Sequence, residues 1–74
     1  MRHRTMAEYA LEQLREAIIM GELPAGTPLR LDELARSLGM SISPIREAVR
    51  QLEARGHAKH EPHQGARDLD IEVE

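Results

Sequence analysis

Residues 31–50, LDELARSLGMSISPIREAVR, decide the fold of this chain. Two short amphipathic segments flank Gly39 at the spacing of a helix-turn-helix. The apolar or small positions of this window are Leu34, Ala35, Leu38, Met40, Ile45 and Ala48. Ala35 is small enough for two helices to approach closely, and Gly39 accepts the positive φ at which many helices end. The stretch therefore predicts two packed helices joined by a tight turn.

The second helix of this motif has a polar outer face that carries Ser43, Arg46, Glu47 and Arg50. A helix with such a face suits insertion into the major groove of DNA. Arg46 and Arg50 lie one turn apart, so their positive charges repel each other slightly. A phosphate or a guanine bound between them would replace this repulsion by a net attraction. The alternative is two solvated arginines, with Arg46 paired to Glu47 or Glu53. We interpret the stretch as a DNA-binding module.

Length and composition exclude several other classes of protein. The chain has 74 residues, no cysteine and a single aromatic residue, Tyr9. This size is typical of one small domain, whose core must here be aliphatic. Disulfides and thiolate metal sites are excluded. No apolar run is long enough to span a membrane and the N-terminus lacks the apolar core of a signal peptide, so we expect a cytoplasmic protein.

The net charge of −3 argues against DNA binding when it is taken as a whole, but the charge is unevenly distributed. Residues 68–74, DLDIEVE, hold four carboxylates and no basic residue. Taking these four from the thirteen acidic residues leaves nine in residues 1–67, against all ten Lys and Arg. We therefore expect modest, salt-sensitive affinity for non-specific DNA, which a homodimer on one operator would raise.

Capping signals and apolar spacing predict three helices, at about residues 6–20, 32–38 and 42–55. Thr5 and Glu8 form a capping-box sequence before the first helix, and Gly21 marks its end. Residues 57–61 and 66–71 then predict the two strands of a β-hairpin, and acidic and apolar residues alternate from position 68 to the end of the sequence. Three helices followed by a hairpin is the order of a winged helix-turn-helix, a mainly α fold with a small β-hairpin.

The expected domain organisation follows from these elements. A DNA-binding domain covers residues 1–67, with the helix-turn-helix at about 31–50 and the wing at about 57–71. Residues 68–74 are expected to be an acidic tail or the start of a linker.

Five short motifs stand in order along the chain. They are GELPAG (21–26), LA with LG (34–35 and 38–39), SPIREA (43–48), LEARG (52–56) and HQGA (63–66). Together they resemble the N-terminal DNA-binding domain of the GntR family of bacterial transcription regulators, most closely its FadR-like branch. The resemblance covers roughly residues 6–67, and the combination is specific although each piece alone is weak.

The resemblance implies that the start of the third helix contacts bases in the major groove while the wing tip approaches the minor groove. The family normally binds palindromic operator DNA as a dimer. Its regulatory half is a separate C-terminal helical domain that binds small carboxylates, sometimes through a metal. Since the sequence ends at Glu74, we expect a DNA-binding half without that effector domain, and no cofactor.

The residues expected to contact DNA lie in four places: before the second helix, on the second helix, at and along the third helix, and in the wing. They are Arg30, Arg36, Ser41, Ile42, Ser43, Pro44, Arg46, Arg50, His63, Gln64, Gly65 and Arg67. Specificity is expected to come from Ser41 to Arg46 at base edges, whereas affinity is expected to come mostly from arginine contacts to phosphate. One of the two serines must also cap the third helix. Arg36 is explained equally well as a free surface residue.

The sequence departs from the family pattern at two places. Ile42 stands between Ser41 and Ser43, where the family usually has an arginine that contacts guanine; an isoleucine contacts only a thymine methyl or a sugar. After Gly56 the family usually has two apolar residues, and here they are histidine and alanine, which should weaken the packing of the wing.

Other chemistry is disfavoured. His57, His60 and His63 are spaced by three, but residues three apart in a strand point to opposite faces, so we expect no metal site. Neither Ser41 nor Ser43 has a neighbouring base with an orienting acid, and so small a domain offers no pocket that shifts the pKa of a carboxyl group. We therefore expect no enzymatic activity.

The alternative function is a protein–protein adaptor built on the same winged helix. In that case the third helix is buried against a partner, as the apolar Ile42 on its outer face would favour. Leu69, Ile71 and Val73 would then pair edge to edge with another chain. A salt titration separates the two functions, because DNA binding falls steeply with ionic strength and an apolar contact does not.

Overall fold

The computed structural model of the chain describes residues 5–60 and 71–74. Within these ranges three helices precede two short strands. They are α1 (Met6–Ile19), α2 (Leu31–Leu38), α3 (Ile42–Ala54), β1 (Ala58–His60) and β2 (Ile71–Val73). The strands pair antiparallel. The predicted fold class, three helices followed by a small hairpin, is confirmed.

α1 begins with the capping box that the sequence predicts. The Thr5 hydroxyl accepts a hydrogen bond from the backbone N–H of Glu8, and the Glu8 carboxylate accepts one from the backbone N–H of Thr5, both at 3.0 Å. The helix ends at its C-cap residue, Met20, and Gly21 follows with a φ of +83°. These paired hydrogen bonds satisfy two N–H groups that the first turn of a helix otherwise leaves unpaired.

α2 and α3 are joined by the tight turn that Gly39 permits. Its φ of +67° and ψ of +38° are left-handed, and its N–H closes α2 by donating to the carbonyl oxygens of Ala35 and Arg36. Ala35 is only 6% exposed, as expected for a small residue between closely packed helices. α2 begins at Leu31, one residue earlier than predicted, because the buried side chain of Leu31 belongs to the first helical turn.

The core is aliphatic, as the composition requires. α3 lies at its centre and packs against α1, α2 and β1. The buried residues are Ala10, Leu11, Leu14, Leu29, Leu31, Ala35, Ile45, Ala48, Val49, Leu52, Ala58, Ile71 and Val73. This packing fixes the orientation of α3 and leaves its opposite face to solvent.

β2 has hydrogen-bonding partners on both sides. Its register with β1 pairs Ala58 with Val73, Lys59 with Glu72, and His60 with Ile71. On the other side, the Leu29 N–H donates to the carbonyl oxygen of Ile71 at 2.8 Å, and the Val73 N–H donates to that of Thr27 at 2.9 Å. The proposed edge-to-edge pairing of Ile71 and Val73 with another chain is therefore wrong, because both edges of β2 are used within the described part of this chain.

The two apolar residues of β2, Ile71 and Val73, also belong to the hydrophobic core. Ile71 is 7% exposed and Val73 is 1% exposed. Alternation of apolar and acidic residues places these two side chains on the same face of the strand, against the helices. The assignment of residues 68–74 to an acidic tail or linker is thus corrected for residues 71–73, while the domain boundary itself stays a prediction.

Candidate nucleic-acid interface

α3 is amphipathic, with one buried face and one exposed face. The buried residues are Ile45, Ala48, Val49 and Leu52, each at most 1% exposed. The exposed polar residues are Ser43, Arg46, Glu47 and Arg50, and the apolar Ile42 and Ala54 at the two ends of the helix are exposed as well. Because the apolar stripe fixes the rotation of the helix in the fold, the polar face points away from the core.

Arg46 and Arg50 are one helical turn apart on this exposed face. In the part of the chain that the structure describes, neither guanidinium has a hydrogen-bond or ion-pair partner. Two neighbouring positive charges without an internal partner form a surface that is electrostatically suited to an anion such as phosphate, and each guanidinium offers paired donors to a guanine.

The neighbouring carboxylates are engaged elsewhere. Glu47 accepts a hydrogen bond from Gln51 Nε2 at 3.4 Å. Glu53 Oε2 lies 2.5 Å from Nδ1 of His60, a contact that joins the last turns of α3 to β1. The structure therefore lacks the ion pair of Arg46 with Glu47 or Glu53 that the sequence offered as an alternative.

An open groove runs between the first turn of α1 and the outer face of α3. It is lined by Met6, Ala7, Ser41, Ser43, Pro44, Arg46, Glu47 and Arg50. Sequence reasoning missed Met6 and Ala7, because nothing local to α1 indicates that its first turn lies beside α3. The capping box at Thr5 locates the start of the helix but not its neighbour.

The residues at the start of α3 are accessible. Ser41 occupies the N-cap position with extended backbone, yet its side chain makes no capping hydrogen bond in the described structure. The expectation that one serine hydroxyl caps the helix is therefore not met at Ser41. Ser43 is exposed, Pro44 is half-buried and Ile42 is 40% exposed. A serine hydroxyl that does not cap a helix retains its hydrogen-bonding capacity for another partner.

Arg30 and Arg36 lie at the two ends of α2. Arg30 is the N-cap residue of α2 and Arg36 lies in its last turn. Both side chains are exposed, and among the described residues neither has a hydrogen-bond or ion-pair partner. Neither residue is among those that line the groove beside α3.

The wing residues His63, Gln64, Gly65 and Arg67, which were predicted to contact DNA, lie outside the described residues. In the ranges 5–60 and 71–74, no group of three or more His, Cys, Asp or Glu residues is placed to hold a metal ion. None of the helices described is long and apolar enough to cross a membrane.

Comparison with known sequences identifies similar proteins. The sequence model of the family described as bacterial regulatory proteins, gntR family, matches residues 6–67. A probable D-xylose utilization operon transcriptional repressor of Paenarthrobacter nicotinovorans is 44% identical over 59 residues, which cover 74% of this chain and 26% of that protein. An uncharacterized HTH-type transcriptional regulator of Bacillus subtilis, YdhC, is 38% identical over 65 residues, which cover 78% of this chain and 29% of YdhC.

Solved structures show the same fold. The crystal structure of a GntR-family transcriptional regulator from Pseudomonas syringae superimposes with a TM-score of 0.79 at 44% identity, covering 92% of this chain and 28% of that one. The chain thus spans between a quarter and a third of the length of these relatives.

Proposed function

The chain belongs to the GntR family of bacterial regulatory proteins and is its helix-turn-helix DNA-binding domain, and on that premise we propose that it regulates transcription by binding operator DNA through the outer face of α3. The observation that carries the proposal is the pair Arg46 and Arg50, exposed and without a partner in the described structure. Guanidinium groups in this state lose no internal contact when they bind DNA. Catalysis is no part of the proposal.

The residues along α3 divide by the chemistry they can perform. The accessible residues at the N-terminal end of α3, the end that contacts base edges in helix-turn-helix proteins, are assigned to sequence recognition. They are Ser41, Ile42, Ser43, Pro44 and Arg46. Arg50 lies one turn beyond Arg46 along the helix and is assigned to a phosphate, as are Arg30 at the N-cap of α2 and Arg36 in its last turn. Phosphate contacts position the protein on the duplex, whereas base contacts discriminate between sequences.

The wing completes the proposed interface. We assign His63, Gln64 and Gly65 to the tip that approaches the minor groove, and Arg67 to a phosphate at its base. The Glu53–His60 contact supports this assignment, because it joins the strand that leads into the wing to the same helix that would enter the major groove.

The proposal includes a homodimer on a palindromic operator. Residues 1–67 carry only a small positive charge, so one domain alone has a weak electrostatic attraction for DNA. Two linked domains on one operator raise the apparent affinity without any new contact. Because bacterial operators lie in the cytoplasm, a cytoplasmic location is part of the same proposal.

Three measurements test the proposal. Selection from a pool of randomised duplexes should enrich one sequence, and affinity for that sequence should fall steeply as salt is raised from about 50 to 200 mM. Arg46→Ala should weaken this binding, while Arg55→Ala, an exposed arginine at the opposite end of α3, serves as the matched control. Enrichment of no sequence, or an affinity that salt does not change, would refute operator binding.

The adaptor remains a second candidate because Ile42, an apolar residue in the first turn of α3, is 40% exposed. An apolar side chain at that place would suit a protein partner as well as a base. An adaptor would keep its affinity for the partner at high salt and would be indifferent to Arg46→Ala.

A further inference from the structure

We infer that Ile42 contacts the 5-methyl group of a thymine in the major groove, and that this contact makes the chain select a thymine at one position of its target. The inference rests on the proposed function and adds a base identity to it. It is carried by where an exposed apolar side chain sits in the fold.

Ile42 is exceptional among the exposed apolar side chains of the described residues. The large ones are Met6, Tyr9, Ile19, Met20 and Ile42. The first four belong to α1 or to its C-cap, and Ile42 alone belongs to the helix-turn-helix. Although α3 packs on the core, 40% of the surface of Ile42 remains exposed to water. The side chain therefore keeps apolar area that a partner can bury.

The position of Ile42 within α3 directs it towards bases. It is the first residue of the helix, and side chains of α-helices lean towards the N-terminus. That end of the second helix is the one that meets base edges in helix-turn-helix complexes. Arg46 lies one turn further on the same side, and side chains at this spacing are about 5–6 Å apart at Cβ. A base that contacts Ile42 therefore lies within one or two base pairs of the base that contacts Arg46.

The chemistry of isoleucine then selects the base. Its side chain neither donates nor accepts hydrogen bonds, so it cannot pair with a guanine, with the amino group of cytosine or with a phosphate. Among the base-edge groups of the major groove, the thymine methyl is the apolar one. A β-branched side chain in a helix is also held near one χ1 rotamer, so little side-chain entropy is lost on contact.

The test removes that methyl group and nothing else. In the duplex enriched by selection with the wild-type chain, the thymine predicted to face Ile42 is replaced by deoxyuridine. Wild-type affinity should fall about fourfold, the effect of one methyl group withdrawn from an apolar contact. Ile42→Ala should bind the thymine and deoxyuridine duplexes equally. Ile42→Arg should select guanine instead of thymine at that position.

Ile19→Ala is the matched control, because Ile19 is 70% exposed at the far end of α1 and should keep the full thymine preference. Equal wild-type affinity for thymine and deoxyuridine would overturn the inference. So would an affinity lost in Ile42→Ala but independent of the methyl, which is the behaviour of a sugar contact. Failure of operator binding looks different: no duplex is enriched, and Arg46→Ala binds the pool as the wild type does.

Discussion

The backbone N–H of Leu29 donates a 2.8 Å hydrogen bond to the carbonyl oxygen of Ile71. This bond joins the segment that enters the helix-turn-helix to the last strand of the chain. Leu29 is 1% exposed, so its side chain lies in the core while its backbone extends the sheet. The orientation of α2 therefore depends on β2. A substitution that weakens this last strand should lower the free energy of unfolding of the whole domain.

Val73→Ala should destabilise the domain by about 2 kcal/mol, because two methyl groups leave a side chain that is almost completely buried and a cavity remains. Urea unfolding followed by circular dichroism measures this. Glu74→Ala is the control: Glu74 is exposed, and its backbone hydrogen bond to the carbonyl oxygen of His57 is unaffected by the substitution. Equal midpoints for the two variants would mean that residues 71–73 are a tail after all.

Arg46→Ala should weaken binding to the selected duplex by about 1–3 kcal/mol and relax the base preference at one position. The melting temperature should stay at the wild-type value, because the guanidinium is exposed and has no partner among the described residues. Fluorescence anisotropy and thermal melts of the same preparation check both. A large loss of melting temperature would show that Arg46 has a structural role.

Arg36→Ala should behave differently from Arg46→Ala. If Arg36 contacts a phosphate, its removal weakens binding to selected and random duplexes alike, and the slope of log affinity against log salt falls by about one. Affinities measured at several salt concentrations on both duplexes provide the check. An unchanged slope would mean that Arg36 contacts no phosphate and is a solvated surface residue.

Gly39→Ala should cost about 1 kcal/mol of stability, because alanine at a φ of +67° is strained. A Cβ built at this position meets no atom within 4 Å, so the cost is conformational rather than steric. Gly39→Asn should therefore lose less, since asparagine tolerates the left-handed conformation better. Denaturant unfolding of the two variants tests this. Equal losses of unfolding free energy in the alanine and asparagine variants would point to a steric cause.

Thr5→Ala should destabilise the domain by about 1 kcal/mol, because the hydroxyl that accepts from the Glu8 N–H is lost. Thr5→Ser keeps that hydroxyl and should stay near the wild type. Amide hydrogen exchange in the first turn of α1 should rise in the alanine variant alone. Unchanged exchange would mean that the core, and not the cap, holds this end of the helix.

Local sequence determined the helices and their ends. The Thr5–Glu8 capping box and the left-handed Gly39 involve residues at most four apart, so their hydrogen bonds follow from the order of residue types. The apolar stripe of α3 likewise dictated which of its sides is buried and hence that Arg46 points outward. The ranges of α1, α2 and α3 were accordingly predicted to within one residue at each end.

Tertiary structure alone decided which segments β2 pairs with and which residues lie beside α3. The alternating acidic residues of positions 68–74 suit an exposed tail as well as a strand, and the bonds to Leu29 and Thr27 select the strand. The groove beside Arg46 needs Met6, which lies far away in the sequence. Such contacts depend on how buried surfaces of distant segments fit together, and no pattern within a single helix or strand encodes that fit.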